Sequence, residues 1–233
     1  MGWYQALYEG NGRGEGPSGP RPTGFKLLLD VVRWRWWTLV KANIMFCLFC
    51  LPIVTIPAAL KALTRVCVLL LRGEPLDLWA DWWGAFRQNL LRTMGAGLLM
   101  AVTLGASGFG VAFYARGMAE SGLLAAPALI LVVLMAILVM SLFSLFPLLE
   151  FSELGLGEAV RSALLLVLVR LPQNLAALAL LVVLVAAYLL AYPYSTFGMV
   201  AIAFSLFWLV ACFASWPGLE KYVFHTSEEE TDG

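Results

Sequence analysis

Charge is what this sequence has least of. Of 233 residues only 13% are Asp, Glu, Lys or Arg, while 61% are hydrophobic and the mean hydropathy is +0.85. Soluble domains carry about 25% charged and about 45–50% apolar residues. So few charges cannot cover a soluble surface, and the surplus apolar side chains have no interior to hide in. An ordinary soluble enzyme, a nucleic-acid reader and a disordered hub are excluded. The composition is that of an integral membrane protein.

Other scarcities narrow the chemistry. His225 is the sole histidine, so no His pair can hold a metal in the core. There is no Gly-x-x-x-x-Gly-Lys-Ser/Thr loop to cradle a nucleotide phosphate, which excludes an ATPase. No nucleophile stands with a credible base, and the expectation is a non-enzymatic chain without cofactor or metal. The 15 basic and 15 acidic residues cancel, so total charge gives no reason to expect a nucleic-acid or acidic partner. The four cysteines, Cys47, Cys50, Cys67 and Cys212, sit in apolar stretches rather than in the polar loops of a disulfide framework. Cys47-x-x-Cys50 has a redox spacing, but its apolar surroundings favour small hydrophobes over reactive thiols.

What the chain has in abundance is uncharged length. Residues 42–60, 93–115, 121–149 and 171–219 carry no charge. A spanning helix needs roughly 20 mostly apolar residues, so the last run holds two helices, broken at Tyr192-Pro193-Tyr194-Ser195-Thr196. Clear spans are expected at about 94–115, 123–149, 173–192 and 197–216. Residues 58–72 are ambiguous, being apolar yet bearing Lys61, Arg65 and Arg72 along one helical stripe. They fit either an interfacial amphipathic helix after a single span or the second arm of a short hairpin bent at Pro52 and Pro57. Basic residues cluster before residue 42 and again from Lys61 to Arg92. The positive-inside rule then favours the hairpin, giving six membrane segments with both ends cytoplasmic.

Two stretches between spans read as interfacial amphipathic helices. Phe25, Leu28, Leu29, Val32 and Trp36 share a face in the first; Trp79, Trp82, Trp83, Phe86 and Leu90 oppose Asp77, Asp81 and Gln88 in the second. The predicted fold class is therefore all-α, a polytopic membrane helical bundle with interfacial helices. Residues 1–24 read as a flexible polar segment, 25–224 as one membrane domain, and 225–233 as an acidic tail. Gly105-Ala-Ser-Gly108-Phe-Gly110 lies inside a span and reads as close helix packing.

Candidate site residues are the polar ones at membrane depth, where burial costs several kcal/mol unless satisfied. Ser141, Ser144, Pro147 and Glu150 form a stripe at spacing three, and Pro147 frees the carbonyl of Phe143 from its helical bond. Lys61, Arg65 and Arg72 form a basic stripe. Snorkelling to anionic headgroups is its favoured reading, and a buried latch from Arg65 to Glu150 or Glu153 the sharper one. Asn43, Asn89 and Asn174 each follow a basic residue at the start of an apolar segment, where Asn can cap a helix.

Several motifs together resemble the bacterial YesL family of membrane proteins, a domain of unknown function. They are Met1-Gly2-Trp3-Tyr4, Asn43, the run Leu51-Pro52-Ile53-Val54-Thr55-Ile56-Pro57-Ala58-Ala59-Leu60, Arg72-Gly73-Glu74, and Trp83-Gly84-Ala85-Phe86-Arg87-Gln88-Asn89. Pro57 stands where that family usually has Gly. The resemblance covers roughly residues 25–220 and implies a multi-span protein of the bacterial inner membrane. It also implies an accessory or assembly role beside the permease subunits of a carbohydrate ABC importer. A small transporter or channel acting alone is the alternative, with the Ser141 stripe as its cavity. The partners expected are the lipid bilayer and those permease subunits.

Overall fold

A computed structural model describes residues 24–117, 124–190 and 202–219. Among them the chain forms nine α-helices: α1 (Phe25–Trp34), α2 (Trp36–Phe49), α3 (Ile56–Arg72), α4 (Leu78–Arg87), α5 (Leu90–Gly117), α6 (Ala125–Phe151), α7 (Leu156–Val169), α8 (Leu171–Leu190) and α9 (Phe204–Leu219). The polar segment expected before Gly24, the break at Tyr192–Thr196, His225 and the acidic tail lie outside the described residues.

Four helical stretches are long and apolar enough to cross a membrane: Ile53–Arg72, Leu90–Gly117, Ala125–Phe151 and Leu171–Leu190. Two shorter apolar helices, Trp36–Phe49 and Phe204–Leu219, accompany them. The chain is thus an all-α, polytopic membrane bundle. Many large apolar side chains remain exposed along α5, α6 and α8, among them Phe109, Phe113, Ile130, Val183 and Leu189. In water that surface would be a liability; in a bilayer it faces lipid.

The chain bends between α2 and α3 around Pro52 and Pro57. Cys50 ends α2, a short 3-10 turn covers Ile53–Thr55, and Pro57 sits in the first turn of α3, where its missing N–H costs nothing. Thr55 Oγ1 donates to the carbonyls of Phe49 (2.5 Å) and Pro52 (2.6 Å), tying the turn together. At its far end α3 stops on Gly73 in the left-handed conformation, φ 59°, and Glu74 N–H bonds back to the Leu69 carbonyl at 3.0 Å. Asp77 then caps α4 by accepting from Ala80 N–H at 3.1 Å.

The helix after this bend is the centre of the bundle. Helix α3 packs against α2, α4, α5, α6 and α9, and nearly every residue from Ala58 to Leu71 is buried. Residues 58–72 are therefore an inner helix of the bundle, not a strip lying on its surface. Gly97 on α5 allows the closest approach to this region: a Cβ there would overlap the ring of Pro57.

The two amphipathic helices differ in part from expectation. In α1 the bundle buries Leu28 and Val31, while Phe25 and Leu29 stay exposed. In α4 the expected apolar face splits. Trp82 is fully buried, and Trp79, Trp83 and Phe86 stack successively beside it, with interplanar angles of 7° and 3°. Phe49 of α2 packs on Trp82, Trp83 and Phe86. Asp81, placed by the sequence on the solvent face, turns inward to an arginine of α3. An ion pair requires both partners to face each other, and the partly buried pair with Arg65 overrides the amphipathic pattern.

Candidate functional site

The polar centre of the molecule lies where α3, α4, α5 and α6 converge. Lys61 and Arg65 are four residues apart on α3 and so share a face. Both point at Glu150, on the last turn of α6. Arg65 Nη1 lies 2.9 Å from Glu150 Oε1, and Lys61 Nζ lies 3.5 Å from Oε2. The Glu150 side chain is fully buried and Lys61 is 1% exposed; Arg65 keeps a third of its side chain accessible. Arg65 Nε also pairs with Asp81 Oδ1 at 3.2 Å, and the other Asp81 oxygen accepts the Asp77 N–H at 2.9 Å. One guanidinium thus ties α4 to α6 across the central helix.

Helix ends supply the remaining acceptors. Gln88 follows the last residue of α4, and its carbonyl takes the Lys61 ammonium at 2.5 Å. Ser152 follows α6, and its carbonyl takes Arg92 Nη1 at 3.3 Å. Both cations sit where orphan carbonyls and the negative end of the helix dipole favour positive charge. Two carboxylates against Lys61 and Arg65 leave that quartet neutral. Arg92 adds one further cation, and its Nε and Nη2 are buried without a hydrogen-bond partner among the described residues.

Within the basic stripe, Lys61 and Arg65 are thus ion-paired inside the bundle. Of the two partners considered for Arg65, the structure brings Glu150 to it. Arg72 stands apart, pairing with Glu74 at 2.9 Å and lying 5.5 Å from the Trp216 ring centroid. Along α6, Ser141, Ser144, Pro147 and Glu150 are all buried. Ser141 bonds back to the Leu138 carbonyl at 2.7 Å, whereas the Ser144 hydroxyl has no partner among the described residues. The stripe does not open onto a polar groove in the neighbouring pocket. That cavity, about 510 Å³ between α3, α5 and α6, is lined by apolar side chains including Ile56, Leu60, Leu98, Leu142 and Phe146.

The three asparagines take different places. Asn43 lies inside α2, so it cannot cap that helix; its Oδ1 instead accepts the backbone N–H of Ser205 at 2.9 Å, at the start of α9. Asn89 does precede α5, but with a left-handed backbone, φ 50°, and its carbonyl receives Thr93 N–H. Asn174 is inside α8, buried, with Oδ1 unpartnered. A second polar seam joins α9 to α3, with Trp208 Nε1 donating to Thr64 Oγ1 at 2.7 Å. All four cysteines are free thiols.

Sequence reasoning did not single out Asp81, Arg92, the Gln88 carbonyl or Ser205. Asp81 and Arg92 were visible as charges beside apolar segments, but nothing local marks them as inward-facing. Among the described residues no group of His, Cys, Asp and Glu is placed to hold a metal ion.

No curated protein and no solved structure gives a significant match to the chain. Residues 39–110 match the model of a family described as a protein of unknown function, DUF624. The matched span runs from α2 into α5 and includes Lys61, Arg65, Asp81, Gln88 and Arg92, every member of the charge cluster except the two on and after α6. Residues 39–110 of this membrane protein are therefore a DUF624, YesL-like domain.

Proposed function

We propose that this protein is a non-enzymatic, six-segment protein of the bacterial inner membrane that acts by docking to another membrane protein. In this reading α2 and α3 go in and come back, and both termini are cytoplasmic. The partner is the permease of a carbohydrate ABC importer, which the YesL resemblance implies.

The observation that carries the reading is the arginine latch. Charges at membrane depth in transporters line an aqueous path or a substrate site. Here Lys61, Arg65, Asp81 and Glu150 are used on one another. They clamp α4 so that Trp79, Trp83 and Phe86 form a stacked aromatic ladder at the edge of the bundle, with Arg87 over the Trp83 ring at 4.2 Å. Rigid aromatic and arginine side chains of this kind are the usual anchors of protein interfaces.

The test is site-specific photocrosslinking from position 79 in native membranes, followed by copurification. A crosslink to an importer permease, lost in Trp83→Ala, supports docking. A monodisperse monomer with no adduct from positions 79, 83 or 87 sinks it. The alternative, a transporter acting alone, draws on the unpartnered donors of Arg92 and the Ser144 hydroxyl. Solute flux in proteoliposomes containing only this chain would establish it instead.

A further inference from the structure

A second cleft lies between α8 and α9, with α1 contributing Phe25 and Leu28 to its lining. Its volume is about 320 Å³, at the lower edge of the range for small-molecule sites. Ala176, Ala177, Leu180, Val210 and Phe213 make an apolar floor. Polar groups are confined to one end, where Arg170 and Gln173 stand.

Arg170 is held there by packing. It occupies the break between α7 and α8, and its stem crosses α9 at Gly218. A Cβ at Gly218 would come within 2.6 Å of Arg170 Cδ and 3.1 Å of Nη1. That Nη1 is buried and has no hydrogen-bond partner among the described residues. A guanidinium donor removed from water without an acceptor costs more than a neutral one, so the position calls for an anion. The adjoining N-terminus of α8 adds the positive end of a 20-residue helix dipole.

The occupant must then be anionic at one end and hydrocarbon at the other. It must also reach the cleft from the bilayer, because the outer face of α8 exposes Leu175, Val182, Val183 and Leu189. We infer that the α8–α9 cleft binds a single anionic phospholipid, its phosphate on Arg170 and an acyl chain over Ala177, Leu180 and Phe213. Basic pockets between spanning helices at the membrane edge hold such headgroups in general.

Native mass spectrometry of the detergent-purified full chain tests this, with phosphatidylglycerol and phosphatidylcholine titrated separately. Retained phosphatidylglycerol adducts are expected in preference to phosphatidylcholine. Arg170→Gln should weaken phosphatidylglycerol about tenfold, the scale of one charge-assisted hydrogen bond. Arg161→Gln, an exposed arginine on α7, should leave it unchanged. Equal retention of both lipids, no retention, or an Arg170→Gln protein that binds like the parent would overturn the inference. Inorganic phosphate that displaces the lipid at millimolar concentration would reduce the site to a free-anion site, which also overturns it. Should Arg170→Gln not fold, Ala177→Phe decides, since it fills the floor and leaves the arginine in place. Lost phosphatidylglycerol with unchanged helical circular dichroism supports the lipid site, and unaltered binding refutes it.

Discussion

Glu150→Gln isolates the latch. The substitution keeps the shape of the side chain and removes its charge, leaving Lys61 with no carboxylate and Arg65 with Asp81 alone. Lys61 is 1% exposed, so water cannot rescue it, and Arg92 supplies a like charge in the same cluster. Breaking a buried pair by removing one partner costs about 3–5 kcal/mol. The low end applies here, because Lys61 keeps the Gln88 carbonyl and Arg65 keeps a third of its surface in solvent. About 3 kcal/mol corresponds to a fall in midpoint of roughly 6–12 °C for a chain of this size. The assay is thermal unfolding in detergent, followed by tryptophan emission and far-ultraviolet circular dichroism. The companion variant Lys61→Met with Glu150→Gln removes both charges and should recover part of the loss, since it leaves no unpaired buried ammonium at position 61. A Glu150→Gln protein that melts within about 1 °C of the parent, on a scale where 1 kcal/mol is worth a few degrees, would show that the latch holds nothing together. A double variant less stable than the single one would show that Lys61 answers to some other anion.

Arg65→Lys should cost about 1–2 kcal/mol, because one ammonium cannot reach Asp81 and Glu150 with the fork that the guanidinium uses. A silent Arg65→Lys in the same melt would return Arg65 to lipid contact. Gly97→Ala should destabilise by about 1–3 kcal/mol by driving a methyl into Pro57, whereas Gly105→Ala, with open space around it, should be neutral or stabilising by about 0.5–1 kcal/mol. Equal effects at the two glycines would deny the close α3–α5 approach. Reporter fusions after residues 75 and 160 should both read cytoplasmic and one after residue 118 external; a fusion at 75 reading external would remove the α2–α3 hairpin from the membrane. Thr64→Val should cost about 1–2 kcal/mol by orphaning the Trp208 indole N–H, with Thr64→Ser close to the parent.

The local grammar of this protein was open to reading without coordinates. Charge-free runs located three of the four long apolar helices, α5, α6 and α8, because the bilayer penalises each charge where it stands, whereas Ile53–Arg72, with three basic residues, stayed ambiguous. Pro52 and Pro57 marked the bend before α3 because their backbone restrictions act within a few residues. Lys61, Arg65 and Glu150 could be singled out for the same reason, as charges too deep to be idle. Which of them meet was another matter. Arg65 and Glu150 are 85 residues apart, and Asn43 serves the N–H of Ser205 across 162 residues. Asp81 carried the pattern of a solvent-facing residue and Asn43 that of a helix cap, yet Asp81 is recruited by Arg65 on the preceding helix and Asn43 by a helix far along the chain. Periodicity assigns a residue to a face of its own helix, but the partner of that face is chosen by packing. A desolvated charge or amide accepts only the complement that packing brings within about 3 Å.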